Sequence, residues 1–226
     1  MNKLKIMLCA VFSLLLVNTT AQADSSNFAG PYIGITGSGY GLQLDGTSDT
    51  SPTGAAPSFD RDEVQLGAVS PVVGFEAGYA IPLGSMFLLD IGAATYSGEA
   101  ELEFFQDEAS STRKDLSFTV DDLMSGYIAP TIVLSDTSSL YIKVGLTEAQ
   151  VTTSGGITPA ADLSGQTWAM GTRTVLESGI FIRTEAGYTD FNGISAHGMG
   201  DGVSADDSYS ADPSVAYGAV SLGFRF

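Results

Sequence analysis

The chain has 226 residues, of which 26 are acidic and nine are basic, and its formal net charge is −17 at pH 7. So large an acidic excess excludes nucleic acid as a partner, because the phosphates would be repelled. The length fits one domain. The 27 glycines, spread among short apolar stretches, predict an all-β chain with many turns.

Residues 1–23 have the pattern of a cleaved secretory signal peptide. Two lysines precede an apolar run at 6–17, and a small-x-small triplet ends at Ala23. The run is too short to cross a bilayer as a helix, which takes ~20 residues. The single cysteine, Cys9, lies within this run and not after it, so a lipoprotein anchor is not predicted. The predicted mature chain, 24–226, therefore has no thiol or disulfide chemistry.

Period-two alternation predicts eight strands joined by connections that alternate between long and short. The strands are expected at 30–40, 67–81, 86–104, 116–134, 140–152, 166–176, 180–191 and 213–226. The short connections are 82–85, 135–139 and 177–179, and the long ones are 41–66, 105–115, 153–165 and 192–212. This order predicts an up-and-down transmembrane β-barrel with short periplasmic turns and long extracellular loops. A soluble Greek-key sandwich, and a barrel of ten strands with split loops, are the alternatives.

One face of most predicted strands is apolar and suited to lipid. The second strand carries Val73, Phe75, Ala77 and Tyr79 on this face, and the fifth carries Leu140, Ile142, Val144 and Leu146. The fourth strand, 116–134, does not choose a face. Pro71 and Pro130 also fall inside predicted strands, where a missing backbone N–H is expected only at an edge, an end or a bulge.

The opposite faces of the strands carry charged residues in a common phase. They are Glu76, Asp90, Lys143, Arg173, Arg183, Glu185 and Arg225. An eight-stranded barrel is about wide enough for its side chains to fill. We therefore expect these three acids and four bases to form a hydrogen-bonded network inside the barrel. The alternative is a chance placement of charges on the wetter face of a soluble sheet.

Large aromatic residues are expected at both ends of the lipid-facing band. Tyr79 is placed near the inner interface, and Trp168 and Tyr188 near the outer one. The final strand alternates apolar residues down to the terminal aromatic, and these are Val220, Leu222, Phe224 and Phe226.

The chain resembles the small eight-stranded outer-membrane barrels, the group of the opacity proteins and the membrane domain of outer-membrane protein A. The segments that carry the resemblance are 30–34, 140–145, 181–188 and the run that ends at Phe226. The resemblance implies a place in the bacterial outer membrane among lipids and lipopolysaccharide, and a terminal strand that is an assembly signal for the barrel assembly machinery. It implies no cofactor. No peptidoglycan-binding domain follows the barrel, so a role in anchoring the cell wall is not expected.

The single histidine, His197, is the one candidate for an imidazole base. Some small outer-membrane barrels are lipid A hydrolases with a His-x-Ser pair on a lipid-facing strand. Here Ser195 precedes His197, the segment is a glycine-rich loop, and the nearest glutamate, Glu185, is predicted to face the interior. Catalysis needs nucleophile, base and orienting group within hydrogen-bond reach. We therefore expect no enzyme activity.

Two acidic stretches carry carboxylates, the ligands that Ca²⁺ and Mg²⁺ prefer. Glu99, Glu101 and Glu103 alternate along one strand face, where they suit either Ca²⁺ and Mg²⁺ or simply water. The last long loop carries four aspartates without the spacing of a known calcium loop; they are Asp201, Asp206, Asp207 and Asp212. We therefore predict no metal site, and hydrated loops.

The functional expectation is a structural or surface-interaction role through the extracellular loops, in adhesion, host interaction or envelope integrity. A possible host or surface ligand would bind these loops. The first alternative is a narrow passive pore, and the second is a lipid A-modifying enzyme.

Overall fold

The computed structural model describes residues 24–50, 60–106, 114–153, 157–158, 162–176, 178–198 and 208–226. A short 3-10 turn at Ser25–Asn27 is followed by strand segments. They are β1 (Gly30–Thr50), β2 (Asp60–Pro82), β3 (Phe87–Ser97), β4 (Ala100–Gln106), β5 (Lys114–Val133), β6 (Ser138–Thr153), β7 (Ile157–Thr158), β8 (Leu163–Val175), β9 (Ile180–Phe191), β10 (Ile194–Gly198) and β11 (Ser208–Arg225). Within the described part of the chain, no helix combines the length and apolarity that a membrane crossing requires. The predicted signal peptide lies outside the described residues.

The strands close into an antiparallel ring. The order is β1-β2-β3-β5-β6-β8-β9-β11, and β11 pairs back with β1 from Tyr32↔Arg225 to Asp49↔Ser208. The segments β4, β7 and β10 continue strands of the ring: β4 pairs with β5, and β10 pairs with both β11 and β7. The predicted eight-stranded barrel is thus confirmed. The sandwich and the ten-stranded alternative are wrong, because the ladder closes with eight neighbours.

The walls of the barrel follow the predicted alternation of side chains. In β8, every second residue from Leu163 to Val175 is buried, and the residues between them are exposed. Phe75, Leu146 and Leu222 point outward, with exposed fractions of 65%, 70% and 53%. Many large apolar side chains are exposed on this outer face, and a contiguous apolar surface of this kind suits a surrounding medium that is itself apolar.

Several strands run further than their apolar pattern predicts. The connection expected at 41–66 is largely strand, because β1 and β2 stay paired up to Thr50↔Asp60. These outer parts are rich in Gly, Ser, Thr and Asp, so they lack an apolar outward face, but their backbone ladder continues. The hydrophobic pattern therefore marks the lipid-covered part of each strand and not its full length.

The predicted fourth strand, 116–134, corresponds to β5, and it contains a β-bulge. The β5–β6 register shifts between Asp121 and Met124, and Asp122 has a φ of 45°. Val120 faces inward before the bulge, and Leu123 faces inward after it, so the inward phase moves from even to odd residues. One inserted residue reverses the side-chain alternation, which explains why the sequence favours neither face.

Pro71 and Pro130, the two prolines that interrupt predicted strands, lie on the outer face of the barrel. Pro130 falls where the β5–β6 ladder passes from Ile128↔Val144 to Thr131↔Tyr141 without a pair between, so its missing N–H does not interrupt a paired position there. Pro71 is exposed opposite Gly39.

Candidate functional site: the barrel interior

Two apolar clusters close the interior at its two ends. The lower apolar cluster lies beside the short turns and consists of Phe28, Tyr32, Ala80, Leu88, Val133, Val175 and Phe181. The upper apolar cluster lies in the outer half and includes Leu42, Leu44, Val72, Val120, Leu123, Val151, Leu163, Phe191 and Val215. Along β2, β3, β8 and β9, the predicted interior charges come between members of the lower cluster and members of the upper cluster. In β3, for example, Asp90 follows Leu88 and precedes Tyr96, which also belongs to the upper cluster.

The first ionic group lies directly above the lower apolar cluster. Arg173 donates a short charged hydrogen bond to Asp90, whose other oxygen accepts from Thr131 at 2.8 Å. Arg183 donates to Glu76 at 2.6 Å, and its second terminal nitrogen lies 4.0 Å from Asp90. Charge-assisted hydrogen bonds of this kind offset much of the cost of removing ions from water.

The second ionic group is built around Glu185. The ammonium of Lys143 lies 2.5 Å from this carboxylate, and both side chains are at most 6% exposed. The hydroxyls of Tyr141 and Tyr217 donate to the same carboxylate at 2.7 and 2.8 Å. Lys143 also lies 4.6 Å from the centre of the Tyr127 ring, a distance suited to a cation–π contact.

The two groups together are electrically neutral, because three carboxylates face three basic side chains. Tyr127 connects them: its hydroxyl donates to Glu76 at 3.2 Å and lies 3.1 Å from the hydroxyl of Tyr32. The structure places six of the seven predicted interior charges in this arrangement.

Arg225, the seventh, lies apart from the two ionic groups at the lower end of the barrel. Its guanidinium donates to the backbone carbonyls of Ser26 and Ala29 at 3.2 and 3.1 Å. Its position in the alternation is inward, but it is the last strand residue and meets the N-terminal segment. The expectation that it joins the carboxylates fails because those lie further up the barrel.

A belt of hydroxyl groups follows the inner wall above Glu185, across the four neighbouring strands β5, β6, β8 and β9. Ser125, Thr147, Thr167 and Thr189 are linked in series by hydrogen bonds of 2.6, 2.6 and 2.8 Å. The cavity that the belt lines together with the surrounding tyrosines has a volume of about 10 Å³. A cavity of this size holds about one water molecule.

Interior glycines make room for aromatic rings, a pattern that the sequence alone does not reveal. In each case the ring lies against a glycine directly opposite it on the neighbouring strand. The pairs are Tyr32–Gly78, Tyr96–Gly74, Tyr127–Gly92, Tyr141–Gly171, Tyr217–Gly187 and Phe181–Gly223. A Cβ added at Gly187 would lie 2.4 Å from Tyr217, and one added at Gly171 would lie 2.4 Å from Tyr141. The glycines were visible in the sequence, but the pairing requires the strand register.

The predicted girdle residues all lie on the outer face. Trp168 and Tyr188 are direct cross-strand partners, and Tyr79 lies near the short turns. The four residues of the predicted assembly signal are also exposed on this face, and the rings of Phe224 and Phe226 pack edge to face.

The candidate catalytic and cation residues are only partly described. His197 lies in β10, opposite Ser208 and Thr158, and Ser195 is in the same segment. Their side chains lie outside the described part of the structure, as do those of Glu101 and Glu103, while Glu99 is exposed. Asp201, Asp206 and Asp207 also fall outside the described residues, and Asp212 is exposed. Among the described residues, no group of three potential metal ligands occurs.

The chain is similar to several solved outer-membrane barrels at low sequence identity. OprG from Pseudomonas aeruginosa is 14% identical, with a TM-score of 0.50, covering 88% of this chain and 97% of that one. Ail of Yersinia pestis is 12% identical, with a TM-score of 0.44, covering 88% and 99%. The outer membrane protease OmpT from Escherichia coli is 8% identical, with a TM-score of 0.49, covering 87% and 97%.

A comparison with the curated proteins finds no match. The model of the outer membrane protein beta-barrel domain matches residues 10–217, which is most of the chain. The closed ring, the apolar outer face and this match agree, and the chain belongs to the outer membrane protein β-barrel family and is located in the bacterial outer membrane.

Proposed function

We propose that this barrel acts through its extracellular surface, in adhesion, host interaction or envelope integrity, and not through its lumen. The observation that carries the proposal is the filled interior. Two apolar clusters enclose a neutral ionic network, and the cavity beside the hydroxyl belt has a volume of only about 10 Å³. Because side chains fill the described part of the interior, the outer strand ends and long connections are the part that meets the surroundings.

The charge of the outer end limits the partners that it suits. Apart from the three interior carboxylates, Asp24 before the first strand, and the two acids of the short turns, Asp136 and Glu177, every acidic residue belongs to the outer parts of the strands or to the long connections. Only Arg61, Arg113 and Lys114 are basic there. Ail has been crystallised with the heparin analogue sucrose octasulfate. We do not carry that polyanion over to this chain, because its outer charge would repel it.

Loop shortening tests the surface role. Each of the four long connections is replaced by a short Gly-Ser turn in a strain that carries the gene, and adhesion and detergent sensitivity are measured. We expect at least one of these properties to decrease. The matched control alters the short turn at 135–137 and should change neither property. If the loop variants reach the membrane folded and behave like the parent, the surface role is wrong.

The first alternative is a narrow passive pore. Single-channel recording of the purified protein in planar bilayers tests it, and we expect no stable open level because the lumen is filled. Frequent, long-lived openings would support the pore and refute the closed barrel.

The second alternative is a lipid-modifying enzyme. The likeness to the protease OmpT is one of fold and carries no activity to this chain. We propose that the chain is not an enzyme, and His197→Ala tests this directly. Mass spectra of lipid A from strains that express the parent or the variant should be identical. A modification seen only with the parent would refute the proposal.

Two features of biogenesis are also proposals. We propose that residues 1–23 are removed on export, which N-terminal sequencing of the membrane-bound protein tests.

We propose that the barrel assembly machinery recognises the final strand through Val220, Leu222, Phe224 and Phe226. For Phe226→Ala we expect less inserted protein and more protein in the periplasm. Equal insertion of the parent and the variant would contradict this role.

A further inference from the structure

The segment before β1 folds back under the barrel. Residues 24–29, here called the N-terminal lid, form a 3-10 turn and are not part of any strand ladder. Phe28 is fully buried in the lower apolar cluster. The remaining members of that cluster are inward-facing residues at the periplasmic ends of β1, β2, β3, β5, β8 and β9. Phe28 therefore completes an apolar layer that the strands alone leave open.

This layer separates the ionic network from the periplasm. The guanidinium carbons of Arg173 and Arg183 each lie 5.5 Å from the centre of the Phe181 ring, and Phe181 belongs to the same cluster as Phe28. The carboxylate partner Asp90 is fully buried, and it is the next inward residue of its strand after Leu88 of the cluster. Loss of the lid would expose this ionic group to water from below.

The lid is held by side-chain and turn contacts that can break while the ring stays closed. The amide of Ser25 donates to the carbonyl of Ser85 at 2.9 Å, and its hydroxyl donates to the carbonyl of Gly84 at 2.6 Å. Asn27 donates to the carbonyl of Asp136 at 3.2 Å. Arg225 bonds two further lid carbonyls. These contacts join the lid to two separate turns and to the last strand.

The junction between the lid and β1 is a glycine in a conformation that other residues avoid. Gly30 has a φ of 110°, and a Cβ at this position would lie 3.1 Å from the carbonyl oxygen of Phe226. Glycine adopts such dihedral angles without steric cost. The junction thus allows the chain to reverse from the lid into the first strand.

We propose that the N-terminal lid is a movable periplasmic closure that controls access of water and small solutes to the lower ionic group. Phe28 fills the apolar layer when the lid is closed, and Arg225 holds the closed lid by its two hydrogen bonds. The backbone of Gly30 is the point about which the lid turns. Opening the lid breaks few hydrogen bonds and no strand pairing, so this part of the barrel opens more readily than the wall. The proposal does not depend on the function of the extracellular loops.

Thiol accessibility tests the lid in the folded protein. The only native cysteine is Cys9 in the predicted signal peptide, so residues 24–226 contain no competing thiol. Ala80→Cys places a reporter in the lower apolar cluster at a position that is fully buried. A positively charged methanethiosulfonate is added to the protein in detergent micelles, and the labelling rate is measured by mass spectrometry. Heat-modifiable migration on a gel checks that each variant is folded.

We expect slow labelling of the reporter in the parent, and labelling faster by about tenfold or more when Phe28→Ala is added, because the open lid becomes more populated. The matched control is Phe191→Ala, a similar loss of volume in the upper apolar cluster, which should leave the rate unchanged. The proposal is wrong if the reporter is labelled equally fast with and without Phe28, or if Phe191→Ala has the same effect. If the Ala80→Cys protein does not fold, Val175→Cys provides the reporter in the same cluster.

Discussion

Replacing Glu185 by Gln is expected to lower the free energy of unfolding by about 3–5 kcal/mol, the usual effect of leaving one partner of a buried ion pair alone. The Lys143 ammonium lies 2.5 Å from Glu185 in a site where its side chain is only 5% exposed. In the described structure the ammonium also faces the ring of Tyr127. A neutral amide can keep bonds to the two tyrosine hydroxyls, but it cannot balance the charge.

The double variant Lys143→Met, Glu185→Gln tests whether the loss of stability comes from the unpaired ammonium. Removing both charges removes the penalty for the unpaired ammonium, and Met fills a volume close to that of the lysine side chain. We expect the double variant to lie within about 2 kcal/mol of the parent, because paired replacement of buried ions is often nearly neutral.

Urea unfolding in lipid vesicles, followed by the fluorescence of the single tryptophan, Trp168, measures both variants. This residue is 57% exposed on the lipid face, so its emission responds to loss of the bilayer contact. The control is Glu148→Gln, an exposed acid on the strand that carries Lys143, which should change the free energy by no more than about 0.5 kcal/mol. A single variant Glu185→Gln within about 1 kcal/mol of the parent, or a double variant as unstable as the single one, would refute the buried-pair argument.

Three further outcomes are expected. Gly187→Val should destabilise the barrel by about 3 kcal/mol or more, because its Cβ meets Tyr217, whereas Gly218→Val, with open space at the Cβ, should be nearly neutral in urea unfolding. Leu222→Arg places a charge on the lipid face and should cost about 2–4 kcal/mol in the same assay if it lies near the bilayer midplane. A backbone N–H of the lid holds the pKa of Asp24 below its usual value, so the carboxylate stabilises the lid at neutral pH and loses this effect as the pH falls through the lowered pKa. Asp24→Asn should therefore label faster than the parent in the thiol assay at pH 7, and the difference should vanish in acid.

The sequence predicted the ring and the face of most strands because lipid and a filled lumen impose opposite chemistry on alternate side chains. It failed in β5, where one bulge at Asp121 shifted the alternation. It also placed Arg225 with the carboxylates, because side-chain phase gives the direction of a residue but not its height in the barrel. The tyrosine–glycine pairs and the buried position of Phe28 depend on register and on the return of the N-terminal segment, which a single sequence does not specify.

The length of β1 has a consequence for how the outer loops are presented. Its 21 residues correspond to roughly 70 Å of strand at about 3.3 Å per residue. With a tilt of about 40°, the strand spans roughly 50 Å of height, about twice the ~25 Å apolar band of such barrels. Because β1 begins at the periplasmic end, most of the excess rises above the outer leaflet as a rigid hydrogen-bonded collar. The outer end of this ladder, up to the pair Thr50↔Asp60, therefore stands clear of the apolar band and carries the polar ends of β1 and β2 away from the lipid.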